Sequence, residues 1–297
     1  MNIVFVILNY NLYQETVECV KSICNNIDTK SFHIIIVDNS SPSGAGEKLQ
    51  CLYKGSKIVT VLLNTQNVGF ANGNNKGIDE ARRFFNPKYI CCLNNDTLLE
   101  QKSFYANLER TYNEDFPAVV GPKIILKDGR VQHVNHCLLT VEQYKNRIER
   151  LEKGKTGFCS LYEKLLQNRI IYELNFLRKK YRNEKVSMFR DVILHGCCLI
   201  FTPIFFEKLN GFDNRTFLYY EEHLLYISLK SKGLHNKYCP NIQIRHLEDM
   251  STKSIAKKNK STTSFIREHS LNSLRILVNE LESTEFFLMD ELAGNRY

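Results

Sequence analysis

Several polar residues sit at the ends of apolar runs, where their types and spacing suit chemistry on a phosphorylated ligand. Asn94-Asn95-Asp96 directly follows Tyr89 to Leu93, which presents the Asp96 carboxylate at a strand end. Mg²⁺ and Mn²⁺ take oxygen ligands, and where a protein offers few carboxylates the phosphates of a substrate complete the shell. Asp96-Thr97 would serve equally well as a helix cap. Asp38 follows the run from His33 to Val37, where an acid can accept the imide N–H of uracil or thymine; Asp-Asn-Ser also makes an ordinary turn or cap. In the stretch from Asn67 to Gly77, glycines including Gly69 let backbone approach a ligand, and Asn72, Asn74 and Asn75 offer uncharged donors and acceptors. That stretch opens a helix, whose N-terminal N–H groups favour an anion. A plain Gly/Asn-rich turn has the same composition.

Glu221 and Glu222 open a helix after Phe217-Leu218-Tyr219-Tyr220. A general base must reach the proton it removes, and the adjacent pair provides one carboxylate to face an acceptor and one to brace the loop. Two acids in a first turn also complement the helix dipole without any catalysis. His246 ends the last apolar run and precedes the basic, Ser/Thr-rich segment 251–264, which reads as mobile. A metal or phosphate ligand assembled as a lid closes fits there, although solitary histidines are common on surfaces.

The elements that position these residues read as alternating strands and helices. Asn2–Leu8, His33–Asp38, Ile58–Leu63 and Tyr89–Leu93 are short Ile/Val-rich runs, while Leu12–Asn26 and Ala71–Phe85 carry apolar residues at helical spacing. Alternation implies a parallel sheet with right-handed crossovers, a Rossmann-like half. Ligands bind beyond the carboxyl ends of such strands, where this chain places Asn9-Tyr10-Asn11, Asp38-Asn39-Ser40, Asn64 and Asn94-Asn95-Asp96. Lys127-Asp128-Gly129-Arg130 reads as a hairpin turn, beyond which alternation stops. Farther on, 158–181 reads as an amphipathic helix, Leu194–Phe201 as a buried strand, Tyr219–Lys232 as a helix, Ile242–His246 as a final strand and Phe265–Leu281 as a helix. The expected organisation is a nucleotide-binding half over residues 1–125, a second half over 126–250 with a basic helical insertion at about 140–190, and a mobile segment and C-terminal helix over 251–297.

Composition narrows the class. With 297 residues, 43% of them hydrophobic, the chain can bury one large core or two fused ones. The apolar start lacks a basic n-region and a cleavage site, and no stretch reaches the apolar length of a membrane span. The expectation is a cytoplasmic protein. Ten cysteines without a C-x-x-C pair read as reduced thiols packed like small hydrophobes, Cys91-Cys92 and Cys197-Cys198 among them. The net charge of +8 is concentrated: residues 145–190 hold 13 Lys or Arg against 5 Glu, an excess equal to that of the whole chain. A basic surface of this kind favours an anionic partner. Its aromatics fall at helix-core spacing and no recognition module is present, which argues against nucleic acid.

Taken in order, VILNYN, IIIVDNSS, NVGFANGNNKGI, LNNDT, HGCCLIF, GFDNRTFLYYEEHLL and IRHLEDMS resemble the family 2 glycosyltransferases, inverting enzymes of GT-A fold. The likeness is strongest to the bacterial rhamnosyltransferase-like, capsule or O-antigen polysaccharide branch, over about residues 2–125 and 194–251. It implies an α/β GT-A fold: a Rossmann-like half with a mixed central sheet, fused to an acceptor-binding half. Asn9, Tyr10, Asp38, Asn67, Gly69, Asn72, Asn74, Asn94, Asn95 and Asp96 would then line the nucleotide-sugar site, with Asp96 and His246 on the metal. Asn94 and Asp96 occupy the outer positions of the family's D-x-D motif. Glu222 matches its catalytic acid, with Glu221 beside it. This chain departs from the pattern at Asn94, where relatives carry an acid, at Glu222, where they carry aspartate, and at Leu224.

The resemblance further implies a nucleoside-diphosphate sugar donor, UDP or dTDP, and a divalent metal, Mg²⁺ or Mn²⁺. The acceptor would be a glycan or lipid-linked glycan, and the basic stretch would make peripheral contact with the anionic inner face of the plasma membrane. The C-terminal helix leaves open a homodimer. Two rival readings are an inactive nucleotide-sugar-binding or scaffold subunit, consistent with Asn94, and a sugar-1-phosphate nucleotidyltransferase, which lacks its triphosphate signature here.

Overall fold

The structure, a computed structural model, describes residues 1–132, 134, 138–153, 189–247 and 262–283. Strands β1 (Ile3–Asn9), β2 (Phe32–Asp38), β3 (Val59–Leu63) and β4 (Tyr89–Asn94) pair in parallel, joined by helices α1 (Tyr13–Asn26), α2 (Ala45–Leu52) and α3 (Gly69–Phe85). β1, β2 and β4 are almost continuously apolar because helices cover both faces of the sheet. Successive residues therefore enter different cores: Phe5, Ile7, Ile34, Ile36 and Cys91 pack with Val17, Val20 and Ile23 of α1. Val4, Val6, Ile35, Val37 and Cys92 pack with Ala71, Ile78 and Ala81 of α3. The adjacent thiols Cys91 and Cys92 thus fill opposite cores, and all eight cysteines among the described residues are free.

Helix α3 carries Gly69, Gly73 and Gly77 although glycine costs up to about 1 kcal/mol against alanine in a helix. Proximity explains the cost: a Cβ at Gly77 would lie 2.3 Å from a Val6 methyl, so the helix can lie close on β1 only without a side chain there.

The rest of the chain extends the same sheet. β5 (Thr97–Leu98), α4 (Phe104–Asp115), β6 (Val119–Leu126), β7 (Phe189–Arg190), β8 (Cys198–Phe201), α6 (Pro203–Lys208), α7 (Glu221–Ser231), β9 (Asn236–His246) and α8 (Thr262–Ser283) follow. The strand order is β3-β2-β1-β4-β8-β6-β9-β5, with β7 on β9, a nine-stranded mixed sheet among the described residues. β8 runs antiparallel between β4 and β6, which ties the two halves of the sequence into one sheet. The expected turn at 127–130 is present: Gly129 takes φ +84° and the Leu126 amide donates to the Arg130 carbonyl.

Three elements differ from the sequence expectation. The strand expected from Leu194 begins only at Cys198, because His195 to Cys197 form a turn in which the Cys198 amide donates to the His195 carbonyl. The helix expected from Tyr219 begins at Glu221, because Tyr219 and Tyr220 are left-handed. The last strand starts early, at Asn236, and its pairing with β6 skips from Pro122–Cys239 to Lys123–Gln243. Pro240 has no N–H to offer a ladder, and the bulge absorbs it. Periodicity also passes over α2, α4, β6 and α6.

Residues 139–187 form a separate compact unit. Its described part is helix α5 (Val141–Glu152), started by a capping box in which Thr140 Oγ1 accepts the Gln143 amide and Gln143 Oε1 accepts the Thr140 amide. The amphipathic helix expected at 158–181 lies outside the described residues. So do 251–261 of the expected mobile segment, whose last residues open α8. Among the described residues no helix is long and apolar enough to cross a membrane.

Candidate active site

The carboxyl ends of β1, β2 and β4 carry a buried polar network. Asn9 Nδ2 donates to Asp38 Oδ1 at 2.5 Å, and its Oδ1 accepts from Thr16 Oγ1 and Asn95 Nδ2, each at 2.9 Å. The Ser41 hydroxyl donates to Asp38 Oδ1 at 2.6 Å and its amide to Oδ2 at 2.9 Å. Asp38 is thereby held rigidly by residues of two neighbouring strand ends, and Gly46 leaves its carboxylate room: a Cβ there would be 2.6 Å from Oδ2. Asn95 also donates to Thr16 Oγ1, so its amide braces the network rather than facing outward. Tyr10, half-buried, follows Asn9 before the left-handed Asn11.

Asn39, which the sequence did not single out as a site residue, organises the entry to α3. Its Nδ2 donates to Asn67 Oδ1 (2.8 Å) and the Gly69 carbonyl (3.0 Å), while its Oδ1 accepts from Asn64 Nδ2 and the Val68 amide. Gly69 has φ +84°, and a Cβ on it would lie 2.3 Å from the Phe217 carbonyl oxygen. The next amide, Phe70, donates to that oxygen at 2.7 Å. The helix start is therefore locked to the loop ahead of Glu221. Asn72 donates to the Asn214 carbonyl, and Asn75 holds Phe212 through both its carbonyl and its amide. Asn74 is 1% exposed and donates to the Phe70 carbonyl. Asn67 and Gly69 thus shape the strand-edge loop, whereas Asn72 and Asn75 fasten α3 to the 211–217 loop.

Asp96 and His246 meet although 150 residues separate them in sequence. β5 pairs with β9 so that Thr97 stands opposite His246, and His246 Nε2 lies 3.2 Å from Asp96 Oδ1. Asn94, half-buried, ends β4 with its amide bound to the Cys197 carbonyl. His195 joins them, its ring edge-on to that of His246 with centroids 5.8 Å apart. Its Nδ1 accepts the Cys197 amide at 3.2 Å, which puts the neutral ring's proton on Nε2. Burial, and then the neighbouring His246, lower its pKa to about 4, so it is a neutral donor at ordinary pH. A histidine interrupting an apolar run was the signal in the sequence.

One carboxylate and one imidazole converge here, a pair that fits a hard cation drawing its other ligands from phosphate and water. Among the described residues no group of three or more His, Cys, Asp or Glu comes together to hold a metal by itself.

Glu221 and Glu222 face different surroundings. Glu221 is 4% exposed, and burial, followed by the charge of Glu222, pushes its pKa up to about 8. Glu222 is only partly buried; its Oε2 lies 3.8 Å from where a Cβ on Gly196 would be, and the Phe70 ring reaches within 3.9 Å of the same point. Desolvation raises its pKa also. The Cys197 thiol feels both carboxylates: burial raises its pKa well above the usual value, and Cys198, Asp96 and Glu222 add to that. Asp96 and Glu222 therefore both lie near one turn, His195 to Cys197. Leu224, at the position where relatives carry an acid, is buried in the core. A separate open groove of about 420 Å³ along α3, lined by Asn72, Lys76, Asp79 and Arg83 among others, contains none of the strand-end residues.

Solved structures with this architecture include GalNAc-T7 with UDP, GalNAc and Mn²⁺ (TM-score 0.58, 15% identity, 84% of this chain and 43% of that one). The mannosyltransferase PcManGT of Pyrobaculum calidifontis, in complex with GDP-Man and Mn²⁺, is similar over 100% of this chain and 81% of its own (TM-score 0.52, 13% identity). S. aureus TarS 1-349 in complex with UDP matches over 83% and 60% (TM-score 0.51, 14% identity). The chain thus spans 43% and 60% of the lengths of GalNAc-T7 and TarS. No curated protein matches the sequence. The mixed sheet with its polar strand-end edge is the GT-A fold of glycosyltransferases. Residues 4–174, more than half of the chain, match the model for glycosyl transferase family 2, and the chain belongs to that family.

Proposed function

We propose that the protein is an inverting glycosyltransferase that moves a sugar from a nucleoside-diphosphate donor to a hydroxyl of a growing glycan. What supports this reading is the nearness of both Asp96, paired with His246, and Glu222 to the His195–Cys197 turn. Asp38 and Asn9, with Asn67 and Gly69 of the loop that Asn39 organises, receive the base of the nucleotide, UDP or dTDP. Asp96 and His246 hold a divalent metal, Mn²⁺ or Mg²⁺, which when bound supplies positive charge against the diphosphate. Glu222 takes the proton of the acceptor hydroxyl, too weakly acidic to ionise unaided, as its oxygen bonds to the anomeric carbon. The bond from that carbon to the diphosphate oxygen breaks, and its electron pair leaves with the nucleoside diphosphate. A carboxylate raised in pKa by desolvation is a stronger base once ionised. Glu221 braces the loop beneath it.

The acceptor is a lipid-linked glycan of a bacterial surface polysaccharide, rhamnosyl-type hexose or deoxyhexose transfer being the reaction, and residues 145–190 bring the enzyme to the anionic inner leaflet. Their charge supports this. Flotation with vesicles containing anionic lipid should carry the protein upward, and indifference to lipid charge would count against membrane contact.

The transferase reading is tested by binding and hydrolysis of a panel of UDP-, dTDP- and GDP-sugars with and without Mn²⁺. One donor should bind and turn over slowly. Binding without turnover, with acceptor supplied, would favour the scaffold reading that Asn94 raises.

A further inference from the structure

The loop that delivers Glu221 and Glu222 is strained at its end. Tyr219 and Tyr220 have φ values of 74° and 67°. Two successive bulky residues in the left-handed region cost on the order of 1 kcal/mol or more each, and such a turn persists only where its surroundings impose it. Its upstream part is fastened to α3 by Phe217, Asn214 and Phe212. The residue immediately before the strained pair, Leu218, is held from elsewhere.

That hold comes from helix α8, far along the chain. Ser273, 1% exposed, donates its hydroxyl to the Leu218 carbonyl at 2.8 Å. The His269 ring stacks on Phe217 with centroids 4.3 Å apart and planes 22° apart, and Phe265 meets the same ring edge-on at 6.2 Å. Arg215 bridges Asp213 within the loop to Glu280 of α8, whose Oε2 is 2.7 Å from Nη2. Leu274, Leu277 and Leu281 are buried, so the helix is seated firmly enough to act as a fixed support. A polar side chain buried to this degree is retained for the partner it satisfies. The partner of Ser273 is one peptide away from the strained turn.

We infer that Ser273, backed by His269 and the Arg215–Glu280 pair, is a positioning residue for the reaction: it fixes the Leu218 carbonyl, and thereby the Tyr219–Tyr220 turn that aims Glu222 at the His195–Cys197 turn. The inference rests on the reading of Glu222 as the base. The terminal helix then belongs to the catalytic machinery of this chain without touching substrate. Its contribution is to orientation, where a displacement of about 1 Å can lower a rate by up to about a hundredfold.

The test compares Ser273→Ala and Ser273→Thr with the wild-type full chain by amide hydrogen exchange and by steady-state hydrolysis of the donor panel. Exchange needs no substrate and reads local opening directly. In Ser273→Ala the amides of Leu218 to Glu222 should exchange at least about tenfold faster while those of β1 and β2 keep their wild-type rates. Hydrolysis should lose about tenfold or more in kcat with KM for the donor unchanged, and Ser273→Thr, which keeps the hydroxyl, should restore both. Wild-type exchange at 218–222 in Ser273→Ala would overturn the inference, as would uniform loosening of every segment or a rise in KM alone. Glu222→Gln separates the two readings: full turnover in that variant removes the base assignment, whereas a dead Glu222→Gln beside an unaltered Ser273→Ala removes only the role of α8.

Discussion

The Asn9–Asp38 edge of the sheet and the Glu221–Glu222 edge at the start of α7 are stabilised in different ways. At the first, strand ends that are sheet neighbours exchange side-chain hydrogen bonds, and Asp38 is satisfied three times over by Asn9 and Ser41. At the second, a strained turn is held by α3 on one side and α8 on the other, and both carboxylates have pKa values raised by burial. A prepaid network that is polar and satisfied suits recognition, because nothing must reorganise when a ligand arrives. A desolvated carboxylate on a strained support suits proton transfer, at a cost in stability. The contrast predicts that the two edges fail differently when altered.

The largest effect is expected at the chemical edge. Glu222→Gln should reduce turnover by about a hundredfold or more, the ordinary range for removing a general base, with donor affinity within about twofold of wild type. Steady-state rates beside calorimetric titration check it, and a parallel loss of affinity would blur the two edges into one.

Next comes Gly69, where the edges are joined. Gly69→Ala must relieve a 2.3 Å approach to the Phe217 carbonyl and a φ of +84°, and should destabilise by about 2 kcal/mol or more in urea unfolding. An unchanged midpoint would show that the α3 start and the 217 loop are not locked together.

At the recognition edge, Asn39→Ala strands the Asn64 amide and the Val68 N–H. A loss of about 1 kcal/mol is expected, since both groups are half-buried and water can reach them in part, with weaker donor binding and unaltered kcat.

The most gradual effect is a pH dependence. Glu221 has a folded-state pKa of about 8 against an ordinary 4.5, so the folded protein binds that proton more tightly than the unfolded chain. The stability this gives is complete below 4.5 and is lost as pH rises through about 8. Glu221→Gln lacks the loss. Its melting temperature should therefore climb relative to wild type across that window, by a few degrees for a chain of this size, and then run parallel above it.

The recognition edge was legible in the sequence because its residues lie at the ends of runs that are apolar for an elementary reason, burial on both faces of a parallel sheet. Strands β1 to β4 and the positions of Asn9, Asp38 and Asp96 follow from that pattern. Thr16 did not emerge, and Asn39 emerged only as one residue of a polar strand end, since their roles are hydrogen bonds across strand ends rather than anything periodic. The chemical edge was legible only as a pair of acids at a helix start. The turn at His195–Cys197 hid inside an apolar stretch read as strand, and the left-handed Tyr219–Tyr220 pair has no local signature, both residues being poor choices for that conformation. The support from Ser273 lies 55 residues away from Leu218 and depends on tertiary packing. Likewise α2, α4 and α6 are short amphipathic or polar helices that periodicity distinguishes weakly from loops.

The separation of recognition from chemistry is tested most directly by titrating the hydrolysed nucleotide sugar into wild type, Asp96→Ala and Glu222→Gln, each with and without Mn²⁺. The account predicts that wild type and Glu222→Gln bind equally and gain affinity with Mn²⁺, while Asp96→Ala binds weakly and no longer responds to the metal. Metal-dependent binding that survives in Asp96→Ala, or is lost in Glu222→Gln, would contradict it.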